Sequence, residues 1–188
     1  ANRGAFHRLE QEGFVVREWA VDSQTGELNT AGLEAVLTGR TRAVAFTHCS
    51  NVVGSVNPVR EWCDKIRAAG AMSIVDGVSY APHGIPQPGG LGADVYLYSL
   101  YKVYGPHLGI MTLARRWNEL LSNQGHFFNA GKPTQSFAPA GPDHAQVAAA
   151  AGVVDYMEQL DEHHFPGEQR DPVQAAQRGH GLRSANRV

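Results

Sequence analysis

Three short apolar runs, each followed at once by polar residues, constrain the fold of this chain more than any other feature. The polar residues recur at intervals of about 25 residues, at Asn51, Asp76 and Lys102. Continuous apolar runs of this kind are typical of strands buried on both faces of a parallel sheet. An interval of about 25 residues is enough for a right-handed crossover between parallel strands. The sequence therefore predicts an α/β fold in which the three polar side chains lie at one sheet edge.

The remaining pattern predicts a mostly parallel sheet flanked by helices. Helices are predicted from Asn29 or Thr30 to Leu37, from Pro58 to about Ala69 and from about His144 to Leu160. Strands are predicted at 14–19, 42–49, 71–76, 94–99 and 108–113. A loop rich in Pro and Gly is predicted at 81–92. We expect one domain over residues 1–167 and a polar tail over 168–188 whose composition is typical of disorder.

Charge and hydropathy give no reason to expect nucleic acid or a membrane as a partner. The 188 residues include 16 basic and 18 acidic side chains, for a net charge of −2. No apolar run approaches the roughly 20 residues of a membrane-spanning helix, and the start lacks the pattern of a signal peptide. We therefore expect the protein in the cytosol.

The lysine and the aspartate together predict pyridoxal phosphate chemistry. That chemistry requires an amine for a Schiff base and a carboxylate that keeps the pyridine nitrogen protonated. A lysine in a turn is usually a solvated cation, but Tyr98, Tyr101 and Tyr104 surround Lys102 with aromatic bulk. Partial desolvation favours loss of the amine proton, which imine formation needs. Alone, Asp76 would be a turn acid; beside Lys102 it is the candidate pyridinium partner.

Other reactive side chains carry weaker predictions. His48 ends its strand, where it either lines the same edge or is a hydrogen-bonded structural histidine, and the sequence leaves both interpretations open. The adjacent pair His163 and His164 cannot face one ligand on a helix, so we predict no metal site. Cys49 and Cys63 are too few for a disulfide framework and lack zinc-site spacing, so neither is assigned chemistry.

Three ordered motifs, 47–58, 75–84 and 99–106, resemble the large domain of class V aminotransferase-fold enzymes. Within these, the chain is most similar to the cysteine desulfurase and selenocysteine lyase group. The resemblance covers roughly residues 1–167 and corresponds to the middle of a longer family chain. It implies the large domain of fold type I pyridoxal phosphate enzymes, truncated at both ends.

The resemblance also implies roles for individual residues. Lys102 would form the Schiff base, Asp76 would pair with the pyridine nitrogen, Asn51 would lie near the ring oxygen of the cofactor, and Ser99 would contact its phosphate. The implied reaction converts the amino acid L-cysteine to alanine and persulfide sulfur. A homodimer and a sulfur-acceptor protein are the implied partners, with 127–142 as the expected contribution to the dimer.

Two positions depart from the family pattern and place the chain in a divergent branch. Ser79 stands where desulfurases commonly have Gln, and Tyr101 stands where they commonly have His. The first change weakens the hydrogen bond to the cofactor ring oxygen, and the second removes an imidazole near the phosphate. The resemblance still implies that Ser79 and Tyr101, at these positions, are cofactor-binding residues. Two alternatives stay open: a truncated, catalytically inactive cofactor-binding or interaction domain, or an aminotransferase, epimerase or kynureninase-like activity on the same fold.

Overall fold

A four-stranded sheet forms the centre of the computed structural model, which describes residues 3–132, 135–138, 141, 143–168 and 174. β1 (Ala43–Thr47), β2 (Met72–Asp76) and β3 (Val95–Ser99) are parallel neighbours, and β4 (Gly109–Leu113) runs antiparallel beside β3. The strand order is β1-β2-β3-β4. The predictions of these strands and of a mostly parallel sheet are confirmed.

Helices and short 3-10 turns connect and cover the strands. The helices of the described residues are α1 (Arg3–Arg8), α2 (Thr30–Val36), α3 (Val59–Ala68), α4 (Pro88–Leu91), α5 (Arg115–Asn118), α6 (His144–Ala149) and α7 (Ala151–His164). α2 begins as the sequence predicts, because the Asn29 side chain accepts a hydrogen bond from the backbone N–H of Gly32 at 2.8 Å. α3 ends at the predicted glycine, where Gly70 adopts a left-handed φ of 75°.

Three local predictions are wrong or incomplete. Residues 14–19 form no strand, because no described strand pairs with them; Trp19 packs into the core while Val15 is 79% exposed. The predicted loop 81–92 contains the short helix α4. The predicted helix from His144 is two helices, α6 and α7, separated by a turn at Ala150. A strand needs a neighbouring strand, which residues 14–19 lack in the described part of the chain. The short helix α4 has local signals that the prediction did not use, since it begins at Pro88 and ends before Gly92, whose φ is a left-handed 69°.

The main core lies between the sheet and helices α2 and α3. Its buried members are Leu33, Val44, Phe46, Val59, Trp62, Cys63, Ile66, Ala71, Val75 and Tyr96. The Trp62 ring centroid lies 5.5 Å from that of Phe46 and 4.6 Å from that of Trp19, both in edge-on arrangements. Full burial of one large apolar side chain contributes about 1.5–3 kcal/mol. This packing makes β1 and β2 a rigid platform for the residues that follow them.

A second, smaller cluster holds the turn that follows β3. Its buried members are Ala81, Leu100 and Val103, with Ala150 and Val153 packed against them. Gly105 belongs to the same contact, because a Cβ there would lie 2.7 Å from Cγ2 of Val153 and 2.9 Å from Cβ of Leu100. The cluster therefore fixes the lysine-bearing turn against α7.

Four further sequence predictions concern membrane helices, metal sites, the polar tail and the cysteines, and the structure can be compared with them only over the described residues. Within those residues, none of the helices combines the length and the apolar character needed to cross a membrane. The same residues contain no group of three or more His, Cys, Asp and Glu side chains that could hold a metal ion. The predicted polar tail lies outside the described part of the chain, apart from Glu168 and Gln174. Cys49 and Cys63 are both buried free thiols.

Candidate active site

The carboxyl ends of β1, β2 and β3 lie at the same edge of the sheet, with β3 extending two residues further than β1 and β2. Thr47 is the register partner of Asp76, and Asp76 is the register partner of Leu97. Ser99 ends β3 two residues beyond Leu97, and Lys102 lies in the 3-10 turn Leu100–Val103 directly after it. Open α/β sheets bind their ligands outside the carboxyl ends of their strands. This edge is therefore the candidate active site.

The turn after β3 presents the lysine because its apolar members are anchored. Leu100 and Val103 are buried, whereas Lys102 is half-buried. Tyr104 closes the turn with a left-handed φ of 68°, and the backbone N–H of Gly105 donates to the Leu100 carbonyl at 2.8 Å. A left-handed φ is uncommon for a residue with a side chain. The packed neighbours on both sides hold this conformation and with it the lysine backbone.

The turn after β2 carries the aspartate and the predicted cofactor contact Ser79. Oδ1 of Asp76 accepts a hydrogen bond from the backbone N–H of Val78 at 3.0 Å. The backbone N–H of Gly77 donates to the Leu97 carbonyl of β3 at 2.7 Å, which ties the turn to the next strand. The carboxylate and the Ser79 hydroxyl are therefore presented by one closed turn at the sheet edge.

Asn51 lies in an exposed turn after β1. That turn is closed by two backbone hydrogen bonds, from Ser50 N–H to the Ser55 carbonyl at 2.9 Å and from Gly54 N–H to the Ser50 carbonyl at 3.0 Å. Among the described residues, no hydrogen bond joins Asn51 to Asp76 or Lys102. Sequence order placed Asn51 at the same edge, and its contact with the cofactor stays a prediction.

The polar side chains at this edge fit the donor set that pyridoxal phosphate requires. Within the described part of the chain, the side chains of Asn51, Ser79, Ser99 and Lys102 make no hydrogen bond or ion pair. The fold therefore leaves one amine, two hydroxyls and an amide unused beside the Asp76 carboxylate. An amine suits the aldehyde, a carboxylate suits the pyridine nitrogen, and hydroxyls suit the phosphate and ring oxygens.

Tyr101, which stands where desulfurases commonly have His, stacks on the imidazole of His107. Its ring centroid lies 5.2 Å from that of His107, with an interplanar angle of 12°, and both side chains are exposed. The structure therefore pairs Tyr101 with the loop before β4, and its predicted contact with the cofactor stays a prediction.

Sequence reasoning missed two members of a buried aromatic cluster directly behind the edge. Nδ1 of His48 and the Tyr96 hydroxyl are hydrogen-bonded at 2.7 Å, and the Tyr80 ring stacks on the imidazole at 3.6 Å between centroids. Burial lowers the pKa of His48 to about 4 and raises the pKa of Tyr96. The imidazole and the phenol are therefore neutral at neutral pH. Of the two sequence interpretations of His48, the structure supports the hydrogen-bonded one.

Comparison with known proteins establishes the family. The sequence profile described as Aminotransferase class-V matches residues 1–138, and the chain belongs to this family. The aminotransferase-like protein FGM3 of Gibberella zeae is 43% identical over 125 residues, which cover 65% of this chain and 31% of FGM3. The cysteine desulfurase-like protein ustD of Aspergillus flavus is 33% identical over 129 residues, which cover 65% of this chain and 29% of ustD.

A solved structure supports the same fold. The cysteine desulfurase CsdA of Escherichia coli superposes with a TM-score of 0.66 at 21% identity, over 87% of this chain and 47% of CsdA. The predicted resemblance to the desulfurase-like group and the predicted fold type I domain are confirmed. The chain spans less than a third of the length of the two curated relatives, so the domain is a partial one. Enzymes of this family depend on pyridoxal phosphate.

Proposed function

We propose that this chain carries the cofactor-binding half of a pyridoxal phosphate enzyme that acts on an amino acid in a cysteine desulfurase-like reaction. The observation that carries the proposal is the placement of Asp76 and Lys102 after adjacent parallel strands at one sheet edge. The unused side chains of Ser79 and Ser99 at the same edge support it. The similarity to ustD supports the choice of reaction.

The mechanism assigns a physical task to each residue. Bound pyridoxal phosphate supplies an electron sink for the amino acid α-carbon. The Asp76 carboxylate holds the proton on the ring nitrogen, and its hydrogen bond from Val78 keeps Oδ1 oriented. The Lys102 amine would hold the cofactor and would accept the α-proton of the substrate. The Ser99 hydroxyl donates to the phosphate, and Ser79 donates to the ring oxygen.

With L-cysteine as substrate, the Cβ–Sγ bond breaks and the carbon product leaves as alanine. The sulfur passes to an acceptor thiol, which becomes a persulfide, so one thiol and one cysteine give one persulfide and one alanine. The acceptor thiol belongs to a sulfur-acceptor protein or to another part of the enzyme. Neither buried cysteine of this chain is proposed for that role.

The proposal is tested with the chain, supplied with pyridoxal phosphate, L-cysteine and dithiothreitol as thiol acceptor. We expect alanine and sulfide in equal amounts, and none from Lys102→Ala. Lys65→Ala is the matched control, because Lys65 is paired with Glu34 at 2.7 Å, away from the sheet edge. Alanine formation by Lys102→Ala at the wild-type rate would contradict the assignment.

An aminotransferase reaction is the second candidate, favoured by the higher identity to FGM3. In that reaction the amino acid would be converted to its keto acid, with the bound cofactor supplying the chemistry that accepts the amino group. The same Lys102 and Asp76 serve both reactions. Mass spectrometry of the cofactor after incubation separates them, because desulfuration regenerates pyridoxal phosphate and transamination without a keto acid accumulates pyridoxamine phosphate.

We further propose that the protein is a homodimer. The support is a set of exposed apolar side chains in the irregular segment after α5, where Leu120 is 72%, Phe127 80% and Phe128 60% exposed. Part of the expected contact, at 133–134, 139–140 and 142, lies outside the described residues. Multi-angle light scattering tests the state, and a monomer at high protein concentration would contradict it.

A further inference from the structure

Two backbone hydrogen bonds hold His48 in place, in addition to the contacts of its side chain. It follows β1 directly, and its N–H donates to the Asp76 carbonyl at 2.8 Å, which extends the pairing of β1 with β2 by one residue. Its carbonyl accepts a hydrogen bond from the Asn57 N–H at 2.9 Å. The His48 backbone is therefore fixed directly beside the backbone of Asp76, the candidate pyridinium partner.

The side chains of His48, Tyr80 and Tyr96, here called the His48 cluster, pack together, with His48 and Tyr96 buried and Tyr80 half-buried. His48 is 4% exposed and Tyr96 is fully buried. The imidazole is hydrogen-bonded to the Tyr96 hydroxyl at 2.7 Å, and the Tyr80 ring lies on its face with an interplanar angle of 16°. Buried polar groups such as this imidazole and hydroxyl destabilise the fold unless they are hydrogen-bonded. Their presence here therefore suggests a task other than filling the core.

The cluster contacts the Asp76–Ala81 turn at both of its ends. At the first end, the Tyr96 ring lies so close to Gly77 that a Cβ at this position would overlap its hydroxyl carbon and oxygen. At the second end, Tyr80 stacks on His48, while the Tyr80 and Ala81 N–H groups donate to the Gly77 carbonyl at 3.0 and 2.9 Å. The turn is therefore held between the Tyr96 ring and the imidazole.

We propose that the His48 cluster is a positioning device for this turn, and that the His48–Tyr96 hydrogen bond sets the orientation in which Asp76 and Ser79 receive the pyridine ring. The inference rests on the proposed function, because it assumes that the turn binds this cofactor. None of the three residues touches the cofactor in this account. They act through the backbone of Gly77 and the side chain of Tyr80.

Tyr96→Phe tests the device by removing one hydroxyl and keeping the ring. Tyr98→Phe is the matched control, because Tyr98 is a half-buried tyrosine on the same strand whose hydroxyl makes no hydrogen bond to a described residue. Two readouts are used on the full chain: the dissociation constant for pyridoxal phosphate from its absorbance, and hydrogen exchange of the 77–81 amides without cofactor.

We expect Tyr96→Phe to bind pyridoxal phosphate about three- to tenfold more weakly, the loss that one hydrogen bond corresponds to. Its 77–81 amides should exchange faster, and Tyr98→Phe should match the wild type in both readouts. His48→Asn, which keeps a polar atom near the position of Nδ1, should bind more tightly than His48→Ala.

The outcomes separate the two proposals. Wild-type chain that shows no cofactor binding would overturn the proposed function and, with it, the role of the cluster in binding. The positioning role alone would be overturned if the wild-type chain binds pyridoxal phosphate and Tyr96→Phe has the same affinity and the same 77–81 amide exchange as the wild type. Equal weakening in Tyr98→Phe would also overturn it, since the effect would not then belong to the hydrogen bond.

Discussion

Polar side chains at the amino ends of the strands (the amino edge) and several of those at the carboxyl ends (the carboxyl edge) differ in their hydrogen bonding. At the amino edge, Asp94 is 2% exposed, and its Oδ2 accepts hydrogen bonds from the Ser73 N–H at 3.0 Å and the Ser73 hydroxyl at 3.2 Å. Its Oδ1 accepts from Nε of Arg116 at 2.9 Å. At the carboxyl edge, the side chains of Ser79, Ser99 and Lys102 make no hydrogen bond within the described part of the chain.

The difference separates polar groups that stabilise the fold from polar groups that are available to a ligand. Buried polar atoms in proteins are nearly always hydrogen-bonded, because an unsatisfied one is costly. The amino edge meets this requirement within the chain. At the carboxyl edge the Thr47 hydroxyl donates to the Cys49 carbonyl at 2.7 Å, but the Lys102 amine and the Ser79 and Ser99 hydroxyls are half-buried and make no hydrogen bond to a described residue. That is the state expected of groups that bind a small molecule. Substitutions at the two edges should therefore affect different measurements.

Asp94→Ala should have the largest effect on stability. It leaves the buried N–H and hydroxyl of Ser73 without their acceptor, and each unsatisfied buried polar group costs about 1–3 kcal/mol. Arg116 also loses its partner, but its side chain is 43% exposed and is then solvated by water. Urea unfolding measures the change. Asp64→Ala, which removes exposed ion pairs with Arg60 and Arg67, is the control and should cost much less. Equal losses in the two variants would contradict the structural role of the amino edge.

Gly77→Ala should have the next largest effect, and it acts at the carboxyl edge. The new methyl group overlaps the Tyr96 ring, and overpacking of this kind costs about 1–3 kcal/mol. Thermal unfolding measures the loss. Gly89→Ala has open space around the added methyl group and should leave the unfolding temperature unchanged or raise it. An unaltered Gly77→Ala unfolding temperature would show that Tyr96 does not lie against this glycine.

The buried imidazole predicts a loss of stability in acid. The unfolded chain protonates His48 below a pKa of about 6.5, whereas burial lowers its folded pKa to about 4. The folded state therefore binds fewer protons between these values, and the free energy of unfolding falls as pH decreases through this window. The expected loss between pH 7 and pH 5 is about 2 kcal/mol.

The control for this pH dependence is His48→Gln, which has no titrating side chain at position 48. Denaturant unfolding at both pH values gives the difference between the two proteins, because the other titrating groups contribute equally to both. A wild-type loss no larger than that of His48→Gln would show that the imidazole is not buried in the folded protein.

Lys102→Ala should have the smallest effect on stability. The amine makes no hydrogen bond or ion pair with a described residue, and substitutions that disturb neither the core nor a buried polar network usually change the free energy of unfolding by less than about 0.5 kcal/mol. Urea unfolding of the variant without cofactor checks this expectation. A loss comparable with that of Asp94→Ala would mean that the lysine serves the fold, and the contrast between the two edges would fail.

The sequence predicted those elements whose signals are local. The strands around Phe46, Val75 and Leu97 are continuous apolar runs, and Asn29 and Gly70 mark helix ends with side-chain and backbone chemistry that acts over a few residues. The edge position of Asp76 and Lys102 followed from the same runs, since parallel strands place their carboxyl ends together. Their roles toward a cofactor stay predictions.

The features that were missed depend on contacts between distant parts of the chain. Residues 14–19 have strand-like composition, but strand formation requires a neighbouring strand that local sequence cannot supply. The His48 cluster joins residues 48 positions apart through the hydrogen bond to Tyr96. The one signal available was Tyr96 itself, a phenol in a buried strand, which needs a hydrogen-bond partner when it is buried.

The most direct test of the central claim is borohydride reduction of the chain mixed with pyridoxal phosphate, followed by peptide mass mapping. The chain has three lysines, Lys65, Lys102 and Lys132, so the map assigns the adduct without ambiguity. We predict that the reduced adduct at low cofactor concentration is on Lys102 and that Asp76→Ala weakens it. An adduct distributed equally over the three lysines, or one absent from Lys102, would contradict the account.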